Sequence, residues 1–198
     1  EVQTCALPIC EALAVVLALL SGMVLPMTPA QILWINMVLT VTLGLVLAFE
    51  PPEQGVMGRP PRRRDAPLVS PFMLWRIVLV SILFSVGAFA IFRWAEFRGH
   101  DVETARTMVV NMFCVMEIFY LFSVRYLHGT SFSLRGLRGT PAVIGAIAVV
   151  VVLQLAFTYL PWMHLLFDSR PVPLFEGAVI VVTGAALMAA LEGERSEE

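Results

Sequence analysis

Residues 105–124 read ARTMVVNMFCVMEIFYLFSV, and this stretch decides the class of the molecule. A helix of about 20 residues, rising about 1.5 Å at each, crosses a bilayer core of roughly 30 Å. Here the run is apolar on both sides of Glu117. A carboxylate at that depth is costly, and acids inside membranes mark ion paths more often than they mark packing. A second acid, Glu11, opens another apolar segment, and Asn36 and Thr40 place two oxygen-bearing side chains one helical turn apart in a third. The pattern predicts a cation site shared among helices.

The rest of the chain agrees on the class. Of 198 residues, 59% are hydrophobic and 14% charged, with a mean hydropathy of +0.84, which excludes a water-soluble globule. The expected fold is all-α, a polytopic transmembrane bundle of six helices over approximately 11–25, 30–49, 72–92, 105–124, 141–160 and 174–191. Five are long enough to span, and the first reaches about two thirds of the way. Pro26 and Pro29 bracket a tight turn, because proline restricts the residue before it and donates no N–H, so the first two helices should form a hairpin. The loops 50–71 and 125–140 and the C-terminal tail carry eight arginines, against Arg93, Arg98, Arg106 and Arg170 on the other side. Short positive loops stay cytoplasmic, which places both termini inside, with Trp75, Trp94 and Trp162 near predicted interfaces.

The net charge of −2 says little about partners in such a chain, no basic face for nucleic acid is visible, and Cys5, Cys10 and Cys114 have no metal-binding spacing. His100, His128 and His164 are scattered and read as surface residues, while Met108, Met112 and Met116 at helical spacing read as packing. The first nine residues, EVQTCALPI, look like a translated sequencing adapter, which leaves 10–198 as the domain.

Residues 31–61, QILWINMVLTVTLGLVLAFEPPEQGVMGRPP, carry a more specific signal. They resemble the sixth membrane helix and following cytoplasmic loop of P-type cation-transporting ATPases, the group that contains the calcium and sodium pumps. That family shows LLWxN, a polar pair, an F-x-P-P/E stretch and an M-x-R-P-P loop. Trp34, Asn36, Glu50, Pro51, Pro52, Met57, Arg59, Pro60 and Pro61 match in order. Residues 105–125 are similar to the eighth helix with its acid, and 154–167, QLAFTYLPWMHLLF, to the end of the ninth. The resemblance covers the chain from Glu11 onward. It implies the fifth to tenth membrane helices of a bacterial type II pump, in the plasma membrane.

On that resemblance the metal ligands are Glu11 of the fifth helix, Asn36 and Thr40 of the sixth, and Glu117 of the eighth. Glu11 holds the family register, 23 residues before Trp34. A hard cation leaving water needs several oxygens, and buried carboxylates need a cation to offset their desolvation. Without one they favour protonation, so proton counter-transport follows as an expectation. The chain departs from calcium pumps in the sixth helix, where Leu39 and Thr40 stand in place of Thr and Asp. A bridging carboxylate is therefore missing, and one ion, Ca²⁺ or a monovalent ion, is expected instead of two Ca²⁺. No DKTGT motif occurs in these residues, so by itself the chain should not hydrolyse ATP and holds no cofactor. ATP and Mg²⁺ would belong to the N-terminal part of the same pump. The loop arginines Arg59, Arg62, Arg63 and Arg64 would brace its phosphorylation domain or bind lipid headgroups.

Plainer readings stand beside these. Thr40 bonds a carbonyl four residues back, Asn36 holds two helices together, Glu117 bonds Asn111 or Tyr120 or is a protonated structural acid, Glu11 is interfacial, and the loop is only a topology signal. As alternatives to a pump, the chain is half of a proton-coupled secondary transporter or a non-catalytic membrane subunit.

Overall fold

The computed structural model describes residues 2–47, 71–125 and 141–195, and every described element is helical. Helix α1 (Val2–Leu20) takes in residues 2–9 as its first turns. It ends where Gly22 adopts φ +63°, with Gly22 N bonded to Leu19 O and Met23 N to Ala18 O. Such a left-handed stop costs glycine little, having no Cβ to clash. Helix α2 (Pro29–Ile35) begins with a reciprocal cap: Gln31 N donates to Thr28 Oγ1, Thr28 N donates to Gln31 Oε1, and Pro29 fills the first turn. The rod then widens into a π-helical segment (Asn36–Gly44) and closes with α3 (Leu45–Leu47).

Helices α4 (Pro71–Phe97) and α5 (Val102–Arg125) form a hairpin. Its turn repeats the glycine stop, with Gly99 at φ +80°, Gly99 N on Glu96 O and His100 N on Ala95 O. Asp101, just before α5, accepts from the Thr104 hydroxyl at 2.5 Å, which holds its carboxyl below the usual carboxylate range. Helix α6 (Pro141–Tyr159) meets a break at Leu160, and Pro161 starts the short α7 (Pro161–Phe167). Helix α8 (Leu174–Arg195) completes the bundle.

Four of the six expected segments are helices long and apolar enough to cross a membrane: Met73–Phe97, Val102–Phe122, Pro141–Tyr159 and Leu174–Leu191. The other two are shorter apolar helices, Pro8–Leu20 and Pro29–Gly44. Connections 21–28, 98–101 and 168–173 meet at one end of the bundle. There Arg106 Nε donates to Leu25 O (3.0 Å), Arg98 Nη2 to Glu176 Oε1 (3.3 Å), and Arg170 N to Thr107 Oγ1 (2.9 Å). That end is the one expected to face away from the arginine-rich loops, which lie outside the described residues. His100, expected at the surface, also contacts Glu176 Oε1 (3.3 Å).

Helix α5 is the hub. Of its spanning window, 67% is buried inside the protein, against 22% for α6 and 28% for α8, which are the more exposed helices. Met108, Met112 and Met116 are fully buried on α5, as their spacing predicted. Between membrane helices there is little hydrophobic driving force, and close approach at small residues supplies the attraction instead. Gly184 of α8 shows such an approach: a Cβ there would lie 2.7 Å from Val115 Cγ1. At Gly87 a Cβ would meet the mobile ends of Leu187 and Met112 at 2.9 Å. Valine is stiff at χ1 in a helix whereas methionine yields. Gly184→Ala should therefore lower the thermal unfolding midpoint in detergent more than Gly87→Ala, by an overpacking cost of about 1–3 kcal/mol. Equal midpoints for the two variants would refute this packing account.

Candidate functional site

Rotation of the α2 rod is set at its start. Trp34 stacks on Phe157 (centroids 5.5 Å apart) and lies against Phe167 (5.1 Å), while Gln31 Nε2 donates to Phe167 O (3.1 Å). With Gln31, Trp34 and Ile35 held inward against α6 and α7, Asn36 emerges half-buried toward α1. Its Nδ2 donates to Glu11 Oε2 (2.5 Å) and to Ile32 O (3.1 Å). Glu11 is only 3% exposed, and its second oxygen, Oε1, is buried with no hydrogen-bond partner among the described residues. Asn36 thus does bridge two helices, and in doing so sits against a carboxylate that has an oxygen left over.

Glu117, also 3% exposed, lies on α5. Both it and Glu11 lie within electrostatic reach of the Cys10 thiol, which donates to Ser81 Oγ of α4 at 3.5 Å. One turn on, Ser85 is buried with its hydroxyl unpartnered among the described residues. Oxygen atoms from α1, the π-helical segment, α4 and α5 therefore gather in one region. Among the described residues no group of three or more His, Cys, Asp or Glu forms a ready cage. Each buried carboxylate is costly in a medium of low dielectric, and a cation held by its oxygens relieves that cost.

Thr40 departs from the expectation. It is exposed, while Asn36 four residues earlier is half-buried. The expected shared face assumed an α-helix; the segment Asn36–Gly44 is instead wound as a π-helix with i→i+5 bonds. The carbonyl bond read as the plainer role of Thr40 is made instead by Thr42 Oγ1, which donates to Val38 O.

Asn111, which one plainer reading set against Glu117, has its partners on α6. Its Oδ1 accepts from Gln154 Nε2 (2.9 Å) and Thr158 Oγ1 (3.1 Å), and Gln154 Oε1 accepts from Trp34 Nε1 (3.3 Å). This chain of polar groups ties α5 and α6 to the rod that carries Asn36, and reading single segments missed it because its members come from three of them. Beside it lies a cavity of about 240 Å³ between α5, α6 and α8, which includes Asn111, Gln154 and Thr158 in its wall and is separate from Glu11, Asn36 and Glu117. The loop arginines Arg59, Arg62, Arg63 and Arg64 lie outside the described residues.

Comparison with known proteins fits this geometry. The family described as "Cation transporting ATPase, C-terminus" matches residues 24–196. The "Probable cation-transporting ATPase F" of Mycobacterium bovis is 42% identical over 164 residues, covering 83% of this chain and 18% of that protein. The "Cation-transporting ATPase pma1" of Synechocystis is 32% identical over 178 residues, 87% of this chain and 20% of that protein. In Arabidopsis thaliana, the "Calcium-transporting ATPase 9, plasma membrane-type" is 32% identical over 150 residues, 71% of this chain and 14% of that protein. The chain spans at most a fifth of the length of these relatives. It belongs to the family of cation-transporting ATPase C-terminal regions, and it is a multi-pass membrane segment of that kind.

Proposed function

We propose that this chain supplies the intramembrane cation ligands of an ATP-driven pump. The observation that carries this is the Glu11–Asn36 contact with its spare buried carboxylate oxygen, in a bundle that also buries Glu117. The Asn36 amide N–H supports one Glu11 oxygen. A cation entering from water would take over that role, and a turn of the amide would present Asn36 Oδ1 to it. Two carboxylates, an amide and nearby hydroxyls suit a single hard ion, Ca²⁺ or a monovalent cation, written here as cargo. The exposed position of Thr40 leaves it out of this ligand set.

ATP and Mg²⁺ would be handled by parts of the pump outside these residues. The chain would lie in the plasma membrane with both termini cytoplasmic, as its arginine distribution favours. On this reading Arg59, Arg62, Arg63 and Arg64 brace the phosphorylation domain. The test is phosphoenzyme formation from ATP by the complete pump against a panel of mono- and divalent cations. At least one ion should be required; phosphorylation indifferent to every cation would reject the reading. In the same assay, changing Arg62, Arg63 and Arg64 to alanine should leave phosphorylation intact while transport falls about tenfold, which is the loss of roughly 1.4 kcal/mol of coupling. Unchanged transport would reduce the arginines to a topology signal.

A further inference from the structure

Gln154 is a half-buried amide on α6, a helix whose spanning window is only 22% buried inside the protein. Its donor and acceptor groups cannot be satisfied by lipid, and both bonds its side chain makes run inward. Oε1 accepts from Trp34 Nε1 (3.3 Å), and Nε2 donates to Asn111 Oδ1 (2.9 Å). Chemistry fixes the direction of this chain. An indole nitrogen can only donate, so the amide oxygen faces Trp34 and the amide nitrogen is left for Asn111. Trp34 is thereby held at two points on one helix, because Phe157, three residues on from Gln154, stacks on the indole face (centroids 5.5 Å, planes 19° apart). Stacking sets the plane of a ring but tolerates sliding and turning within it. The N–H bond to Gln154 removes that freedom. Asn36 follows Trp34 by two residues and keeps right-handed helical dihedrals, φ −59° and ψ −43°. Positions two apart on such a helix lie about 200° from each other around its axis. Anchoring Trp34 on α6 therefore turns Asn36 to the far side of the rod, where its Nδ2 meets Glu11 Oε2 of α1 (2.5 Å).

Taking the cation site of the preceding section as given, we propose that Gln154 is a positioning residue for it: by anchoring the Trp34 indole, it sets the rotation at which Asn36 faces Glu11 and the ion. Gln154 itself touches no ligand atom of that site. Its influence passes through the short stretch from Trp34 to Asn36, which is too brief to absorb a twist before the π-helical segment begins. A rod without this anchor turns about its axis, and Asn36 then spends part of its time away from Glu11. Apparent affinity falls by the fraction of time that the binding geometry is lost, since only the competent arrangement takes up the ion. Asn111 and Thr158 support the anchor from behind, with Thr158 Oγ1 donating to Asn111 Oδ1 (3.1 Å).

The test uses the complete pump and reads half-maximal phosphorylation by the activating cation beside the unfolding midpoint of the cation-free protein. Gln154→Leu, which is close in size and removes both bonds, should raise the half-maximal cation concentration about five- to tenfold, the factor that accompanies one lost hydrogen bond. Tyr159→Phe is the control: it removes a bond from the same helix, to Val172 O (2.8 Å), outside the chain from Trp34 to Asn111, and its cation dependence should match the parent's. An equal shift in that control would mean that any weakening of α6 reaches the site, and overturns the inference. In an Asn36→Ala background, Gln154→Leu should add less than about twofold, because a residue acting through Asn36 then has nothing to place. A merely structural Gln154 would lower the unfolding midpoint and either leave cation dependence unchanged or multiply with Asn36→Ala, and each of those results overturns the inference. If Gln154→Leu does not accumulate as folded protein, Trp34→Phe decides, since it keeps a ring on Phe157 and removes the N–H. It should give the same rise, again absent in the Asn36→Ala background, and an unshifted Trp34→Phe overturns the inference. A parent that ignores every cation, or an Asn36→Ala variant that behaves as the parent, rejects the site itself, whereas a responsive parent with an unshifted Gln154→Leu rejects only the role of Gln154.

Discussion

Glu117→Gln in the complete pump is expected to raise the cation concentration needed for half-maximal phosphorylation by about a hundredfold or more, because ligand charge count sets the affinity of oxygen sites over several decades. Glutamine keeps the size and much of the hydrogen-bonding capacity of the acid, so the packing of α5 against α1 and α4 should survive. What disappears is a full negative charge in a region that is 3% exposed, where water cannot compensate. The unfolding midpoint of the cation-free protein should stay level or rise, since a buried carboxylate is itself costly. A variant that answers every cation as the parent does removes Glu117 from the ligand set, whatever its place in the bundle.

A second large effect is expected at the Glu11–Asn36 pair, in the form of non-additivity. Glu11→Gln and Asn36→Ala should each weaken cation-dependent phosphorylation by about ten- to a hundredfold, and the double variant should be little worse than the poorer single one. The two side chains share one hydrogen bond before loading and one ion after it, and groups acting on a common partner do not add. Fully additive losses would mean that the pair serves two separate purposes, with Asn36 holding helices together and Glu11 acting elsewhere. Bound-state affinities must be read beside folded yield, because Asn36 also bonds Ile32 O and its loss touches the start of the π-helical segment.

Much of this arrangement was legible in the sequence, for identifiable physical reasons. An acid in the middle of ARTMVVNMFCVMEIFYLFSV has almost no inexpensive explanation in lipid, so Glu117 announced itself. Pro26 and Pro29 marked the turn ahead of α2, which does begin at Pro29. Thr40 could not be placed, because nothing in NMVLTVTLG signals departure from 3.6 residues per turn. The π-wound segment packs against α1 and α6. The burial of Arg76 was hidden for the opposite reason. Its residue type and its position near the start of a span suggest an interfacial side chain, and only the burial of its whole row on α4 shows otherwise. Asn111, Gln154 and Thr158 are each unremarkable alone; their meaning lies in contacts across 43 and 47 residues of chain. Such pairings depend on helix rotation, which a pattern without an amphipathic face does not fix.

The central claim is that oxygens of Glu11, Asn36 and Glu117 close on one dehydrated cation, and it is tested most directly by the coordination shell of the complete pump trapped with its ion. The account predicts the ion between α1, the π-helical segment and α5, within direct bonding distance of both carboxylates, about 2.3–2.6 Å if it is calcium, with Asn36 turned so that its amide oxygen faces the metal. An ion bound elsewhere, with the Asn36 N–H still on Glu11, would contradict it.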